Sequence, residues 1–208
     1  RLMNSEEATG EIVNAGGGTF EGYWNNAAAN SERIRDGAYW TGDLAYRDEN
    51  GFFYFAGRSA DWMRVDGENF AGAPIERILM RHPDVILAAV YGIPDFDMGD
   101  RVMAALQVQP GTTIDPAEFA EFLRAQPDLG PKWIPSFIQI VEEFPMTPSN
   151  KVIKRELVLR RWHDVERHDD VQLWWRPSKE IAFSQFTRVE ATELRAKFAA
   201  NNRGALLD

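Results

Sequence analysis

The 208-residue chain has no cysteine. A disulfide framework, a thiolate zinc site and a cysteine nucleophile are therefore excluded. No apolar run approaches the roughly 20 residues that a membrane-spanning helix needs. Basic charge is also short: 23 Lys and Arg face 32 Asp and Glu, a net charge of −9. Broad nucleic-acid binding needs a basic footprint, so this balance argues against it while leaving room for a local basic patch. The three histidines, His82, His163 and His168, lack ligand spacing, and no metal site is read from them. There is no internal repeat, low-complexity tract or signal-peptide pattern. The chain opens on Arg1 and reads as a piece of a longer polypeptide. What is plentiful is aromatic surface, with seven Trp and thirteen Phe in a composition that is 44% hydrophobic, enough to supply a core.

Residues 1–58 read as strands and turns. A short strand covers 11–13, and residues 14–18, with three consecutive glycines, form a loop. Tyr46 and the run 52–55 flank Asp48-Glu49-Asn50-Gly51, whose Asn-Gly pair favours the positive φ of a hairpin turn. Strand and helix then alternate. Residues 62–65 form a strand closed by Asp66-Gly67, and Pro74 stands at a first helical position with Ile75, Ile78 and Leu79 on one stripe. Strands are expected over 85–91, 102–108 and 137–141. Asp115-Pro116-Ala117-Glu118 opens a helix, with an acid at the N-cap, Pro at N1 and Glu at N3. Residues 154–162 form a short helix, on which Arg160-Arg161 and Lys154-Arg155 read as a solvated face. In 166–208 the run Thr187-Arg188-Val189-Glu190 is a capping-box pattern ahead of a helix that Asn201-Asn202 ends. Trp174-Trp175 read as packed side chains. A sheet with helices packed on it makes this an α+β chain.

Three short runs carry chemistry: Tyr39-Trp40-Thr41-Gly42-Asp43-Leu44, Gly57-Arg58, and Thr147-Pro148-Ser149-Asn150-Lys151. A carboxylate such as Asp43 can accept hydrogen bonds from both hydroxyls of a ribose, and Thr41-Gly42 places it at a turn. Arg58 offers a rigid fork of donors with a permanent charge. Lys151 is a compact charge able to bridge a carboxylate and a phosphate as negative charge builds. Singly, each has an ordinary reading: a turn aspartate, a surface ion pair, a solvated loop lysine.

In this order, the runs resemble the adenylate-forming enzymes: acyl-CoA synthetases, luciferase-like ligases and peptide-synthetase adenylation domains. The likeness runs from about residue 10 to 157 and covers only the later part of such an enzyme. The triplet Gly67-Glu68-Asn69 is similar to the long- and very-long-chain fatty-acid CoA ligase branch, which includes the fatty-acid transport proteins. The resemblance implies that residues 1–58 end a large N-terminal domain as a small β subdomain, that 59–165 are a mobile C-terminal domain, and that 166–208 are a tail with one helix. It implies that Asp43, Arg58 and Thr41 hold the nucleotide, and that Lys151 serves adenylation, with Asn150 in place of the usual glycine. It places a hinge at Ala60, where relatives often have Asp or Lys, with Asp61 next to it. Gly67, with Arg64, Glu68 and Asn69, would serve the thioester-forming conformation.

The implied activity is ATP-dependent ligation of a fatty acid to CoA. ATP with Mg²⁺ and CoA take part, and the metal is held mainly by the absent N-terminal domain. The Ser/Thr/Gly-rich phosphate loop, the acidic Mg²⁺ motif and the acyl pocket are all missing here, so the chain alone is expected to make no acyl-CoA. Two alternatives stand beside this reading: a fatty acyl-AMP ligase that passes the acyl group to a carrier protein, and a non-catalytic nucleotide-binding or interaction module. Cytoplasmic residence is expected, with peripheral membrane contact as the variant.

Overall fold

A computed structural model describes residues 9–16, 21–58, 61–97, 99–168, 170–177 and 179–207. The chain divides between Trp62 and Met63 into two compact units.

The first unit is built around β3 (Ala38–Arg47). β1 (Gly10–Asn14), β2 (Ile34–Arg35) and β4 (Phe53–Arg58) all pair with it, antiparallel. A helix also occurs where only strands and turns are expected, α1 (Ala27–Arg33). Its cue is three alanines behind Asn26, whose side chain accepts from the Ala29 amide at 3.0 Å. At the β3–β4 connection, only Gly51 of the Asn-Gly pair takes a positive φ, of 89°. Asp48 organises this loop by accepting from the amides of Asn50 and Phe52 and from the Tyr54 hydroxyl, at 3.0, 2.8 and 3.2 Å. The unit has little interior of its own. Among its described residues Ala45 is the one buried hydrophobic side chain, while Phe52, Phe53 and Phe55 are 67%, 68% and 67% exposed.

The second unit is a three-layer body. Its sheet has the order β11-β10-β9-β8-β7. The strands are β7 (Val85–Pro94), β8 (Asp100–Val108), β9 (Phe137–Val141), β10 (Leu173–Trp175) and β11 (Ser184–Gln185). β8 and β9 are parallel, joined through α3 (Pro116–Arg124), and every other pair is antiparallel. A separate hairpin, β5 (Trp62–Val65) with β6 (Glu68–Ala71), leads into α2 (Gly72–Leu79). Ile75, Ile78 and Leu79 of α2 and Phe119 and Leu123 of α3 cover one face of the sheet. The other face is covered by α4 (Lys154–Arg160), α5 (Asp164–Arg167) and α6 (Arg188–Ala200), through Leu157, Val165, Leu194 and Phe198. β8 sits between the layers. Val102, Ala104 and Leu106 face one side and Met103 and Ala105 the other, none more than 1% exposed.

Several local expectations shift. α2 begins at Gly72, which makes Pro74 its third residue. That position is tolerated because first-turn amides have no intrahelical partner. β7 runs on to Pro94, which an edge strand allows. α4 stops at Arg160 because Arg161 turns to a φ of 51°. Arg161 is not on a solvated face. It is 8% exposed and donates to the carbonyls of Val158 at 3.0 Å and Leu206 at 2.6 Å. Residues 166–208 are integral to the second unit: β10 and β11 extend its sheet, and α6 fills its second layer. Trp174 is 4% exposed, and Trp175 stacks on Phe137 with a 6.2 Å centroid separation.

Two histidines make stability pH-dependent. His82 packs against Phe119 and Phe122 with centroids 5.3 and 5.0 Å away. Burial pushes its pKa below the ordinary 6.5, against the opposing pull of Asp84. Burial lowers His163 too, with the Arg195 charge adding to the effect. Both bind protons less readily in the folded state than in the unfolded chain. As pH falls through about 6.5 the unfolded state takes up more protons, and stability declines. The urea midpoint should be lower at pH 5.5 than at pH 7.5, and the difference should shrink in His163→Gln. An identical midpoint at both pH values would remove the claim.

Candidate functional site

In the first unit the expected nucleotide-binding pair is directly opposed: Asp43 of β3 is the cross-strand partner of Arg58 of β4. Arg58 Nε donates to Asp43 Oδ1 at 3.0 Å. Asp43 is not in a turn but within a continuous strand that bulges on both sides of it. Against β1, Glu11 pairs with Leu44 and Val13 with Trp40, so residues 41–43 of β3 oppose Ile12 alone. Against β4, Leu44 pairs with Gly57 and Ala45 with Phe55, leaving Ala56 as the extra residue. Gly42 and Gly57, with φ of 77° and 112°, supply the backbone these irregularities need. Bulges of this kind re-aim a side chain, and here they leave a partly exposed carboxylate beside a guanidinium that is 66% exposed.

Thr41 has a supporting place. Its hydroxyl donates to the Ile12 carbonyl at 2.8 Å and accepts from the Asp43 amide at 3.0 Å. Glu11, which sequence reasoning missed, accepts from the Gly42 amide at 2.7 Å and so fixes the bulge. Tyr39 and Tyr23 pair their hydroxyls at 3.2 Å, and that bond, followed by burial, pushes the Tyr39 phenol above its usual range. The expected hinge position Ala60 lies outside the described residues. Asp61 is half-buried.

The second unit presents Lys151 on a tight loop. Met146 bridges Val152, and the Thr147 amide donates to the Lys151 carbonyl at 2.8 Å. The Asn150 amide returns to the Thr147 carbonyl at 2.9 Å, closing a turn with Pro148 at its second position. Asn150 sits at φ 57°, a left-handed conformation that Asn accepts more easily than most residues. The Lys151 amide donates to Thr147 Oγ1 at 3.0 Å. Lys151 itself is exposed, and its ammonium group has no hydrogen-bond or ion-pair partner among the described residues.

Gly67 forms the two-residue turn between β5 and β6 with Asp66, at φ of 81° and 49°. Positive φ at both positions is the preferred geometry for a two-residue hairpin. A Cβ at Gly67 would meet nothing within 4 Å, so within this unit the glycine answers a backbone need and not a space limit. Lys132 secures the turn, donating to the Asp66 carbonyl at 2.9 Å and pairing with Glu68 at 2.8 Å. Arg64 and Asn69 are exposed, and the Arg64 amide donates to Asp100 at 2.8 Å. Beside this hairpin lies a cavity of about 640 Å³, whose lining includes Arg101, Arg124, Lys132, Arg176 and Lys179. Among the described residues no three His, Asp or Glu side chains converge as a metal cluster, and no helix is long and apolar enough to cross a membrane.

The first unit thus carries the Asp43–Arg58 pair on a bulged sheet, and the second carries Lys151 on a hairpin loop. Residues 74–151 match the family described as the AMP-binding enzyme C-terminal domain. The chain is 47% identical over 208 residues to steroid-22-oyl-CoA synthetase of Rhodococcus jostii (strain RHA1), covering all of the chain and 37% of that protein. It is 57% identical over 149 residues to the medium/long-chain-fatty-acid–CoA ligase FadD17 of Mycobacterium tuberculosis (strain ATCC 25618 / H37Rv), covering 71% of the chain and 30% of the relative. A Bacillus subtilis o-succinylbenzoate CoA synthetase (MenE), solved with the acyl-adenylate intermediate OSB-AMP, aligns with a TM-score of 0.62 at 30% identity, covering 72% of this chain and 30% of that one. Residues 74–151 are an AMP-binding enzyme C-terminal domain, and the chain as a whole is similar to the C-terminal part of adenylate-forming CoA ligases. It spans about a third of the length of the curated relatives it matches.

Proposed function

We propose that the polypeptide carrying this chain is an ATP-dependent acyl-CoA ligase acting on a fatty or similarly apolar carboxylic acid. The observation that carries the reading is the cross-strand Asp43–Arg58 pair, in a chain whose full length aligns with a CoA synthetase. The acid's carboxylate oxygen attacks the α-phosphorus of ATP, forming the acyl-adenylate and expelling pyrophosphate. Lys151 stabilises the charge that builds between carboxylate and α-phosphate. Asp43 accepts from the ribose hydroxyls, and Arg58 faces the ribose or phosphate. The C-terminal domain then turns about Ala60 and Asp61 and brings the Gly67 hairpin, with Arg64, Glu68 and Asn69, to the adenylate. The CoA sulfur attacks the acyl carbon, the carbon–oxygen bond to phosphate breaks, and AMP leaves.

The cavity beside the Gly67 hairpin is lined by Asp66, Asp95 and Asp100 as well as by cations, of which Arg101, Arg124 and Lys132 are ion-paired, so no CoA phosphate is assigned to it. Magnesium would neutralise charge on the ATP phosphates. The described residues offer no cluster for it, so its ligands are assigned to the rest of the polypeptide. The exposed phenylalanines of the first unit fit the same division, being surface that a larger N-terminal domain would cover.

The test is pyrophosphate release by the full-length protein across a panel of fatty and steroid acids, with CoA and an acyl-carrier protein as alternative acceptors. Pyrophosphate release with transfer to CoA is expected. In Asp43→Ala the KM for ATP should rise about tenfold, the loss of roughly one charge-assisted pair of hydrogen bonds. Transfer to the carrier protein alone, or no pyrophosphate with any acid, would refute the reading.

A further inference from the structure

Lys151 belongs to a hairpin whose own hydrogen bonds set its shape. The bonds between Thr147 and Lys151, between Asn150 and Thr147, and between Ile153 and Pro145 all stay within residues 145–153. None of them fixes where the hairpin sits on the domain. α4 follows at once, and its N-terminus, at Ile153, has no side-chain cap. Its first residue, Lys154, is three positions after Lys151, and its Nζ lies 2.8 Å from Glu76 Oε1 of α2. The same Glu76 oxygen accepts from the Val90 amide of β7 at 2.8 Å. Among the described residues this is the one polar tie from residues 145–155 to a distant part of the sequence. The Lys154 and Glu76 side chains are only 21% and 17% exposed. The pair is largely shielded from water, and removing one partner of such a pair leaves an uncompensated charge.

We propose that Glu76, through Lys154, positions the Lys151 loop for the adenylation step, an inference that rests on the role given to Lys151 above. One carboxylate joins α2, β7 and the start of α4, so the loop is registered against the sheet and not merely closed on itself. Neither Glu76 nor Lys154 is assigned contact with substrate, so both are positioning residues. A displacement of about 1 Å in a charged group can cost on the order of a hundredfold in rate.

The two half-reactions are measured separately in the full-length protein, with Lys151→Ala as reference. For Glu76→Gln and Lys154→Met, the kcat of pyrophosphate release should fall about 10- to 100-fold, with the KM for ATP changed by less than about threefold. Thioester formation from supplied acyl-adenylate and CoA should stay within about threefold of the parent. Lys154→Arg, which keeps the charge, should restore at least half of the lost adenylation. Equal loss in both half-reactions would mean general damage and overturn the proposal, as would an Arg variant no better than Met. Normal adenylation in Glu76→Gln, alongside a severe loss in Lys151→Ala, would overturn this inference while leaving the parent reading intact. Normal adenylation in Lys151→Ala would overturn both.

Discussion

Replacing Lys151 by alanine in the full-length protein is expected to lower the rate of adenylation by about 100- to 1000-fold, the usual cost of deleting one donor aimed at developing transition-state charge. Lys151 is well suited to such a role because no described residue of its own unit holds its ammonium group. The loop is rigid in its backbone, through the Thr147 bonds and the left-handed Asn150, yet it leaves the side chain free. A charge already paired would have to break that pair before serving the substrate. The effect should divide by step: pyrophosphate release collapses, whereas CoA transfer from supplied acyl-adenylate stays within a few-fold, because the proposed mechanism gives that step to the Gly67 side of the domain. Rapid-quench measurement of each half-reaction checks this. A comparable loss in both would show that one pose serves both steps. Lys151→Arg should recover little, since a planar fork does not replace a compact charge between two anionic oxygens.

The division between what could and could not be read from the sequence follows the distance over which each feature is encoded. The Asp115 N-cap and the Thr187–Glu190 capping box are both present as read, because a cap is set by residues within three positions of each other. The left-handed Asn150 is similarly local. Asp43 and Arg58 are 15 residues apart, and only the ordered motifs linked them. That they are direct cross-strand partners required the register of β3 and β4, including two bulges of which Gly42 and Gly57 are the only written trace. Lys154 and Glu76 are separated by 78 positions and lie in helices with no shared pattern, so Lys154 read as a solvated residue until its partner was placed. β10, at three residues, is too short to show a period of two, and its place between β9 and β11 is fixed by Phe137 to Gln139 across the ladder.

Because residues beyond 165 complete the sheet and one of its two helical layers, their loss should be severe. Phe198→Ala is expected to destabilise the second unit by about 3–5 kcal/mol, the range for emptying a fully buried aromatic site. Phe198 is 1% exposed and meets Phe96 edge-on, with centroids 5.8 Å apart, in the layer it shares with Trp162, Leu194 and Leu173. Deleting residues 168–208 removes more: Leu173, Trp174, Phe186, Ala191, Leu194, Phe198 and Leu207 are all buried in that stretch. At about 1.5–3 kcal/mol for each of the six large side chains, the loss is about 9–18 kcal/mol, as large as the roughly 5–15 kcal/mol by which a domain is normally stable. The truncated protein should therefore lose its cooperative urea transition and become sensitive to limited proteolysis throughout residues 63–167. The bonds from Arg195 to Glu166, at 2.5 and 2.7 Å, and from Arg161 to the Leu206 carbonyl tie the same segment to α5 and the end of α4. The element that follows the Lys151 loop is thus supported from both ends: by Glu76 at its start, and at its finish by the C-terminal segment. A truncated protein that kept a full-amplitude transition and parental adenylation would show that β10, β11 and α6 are dispensable.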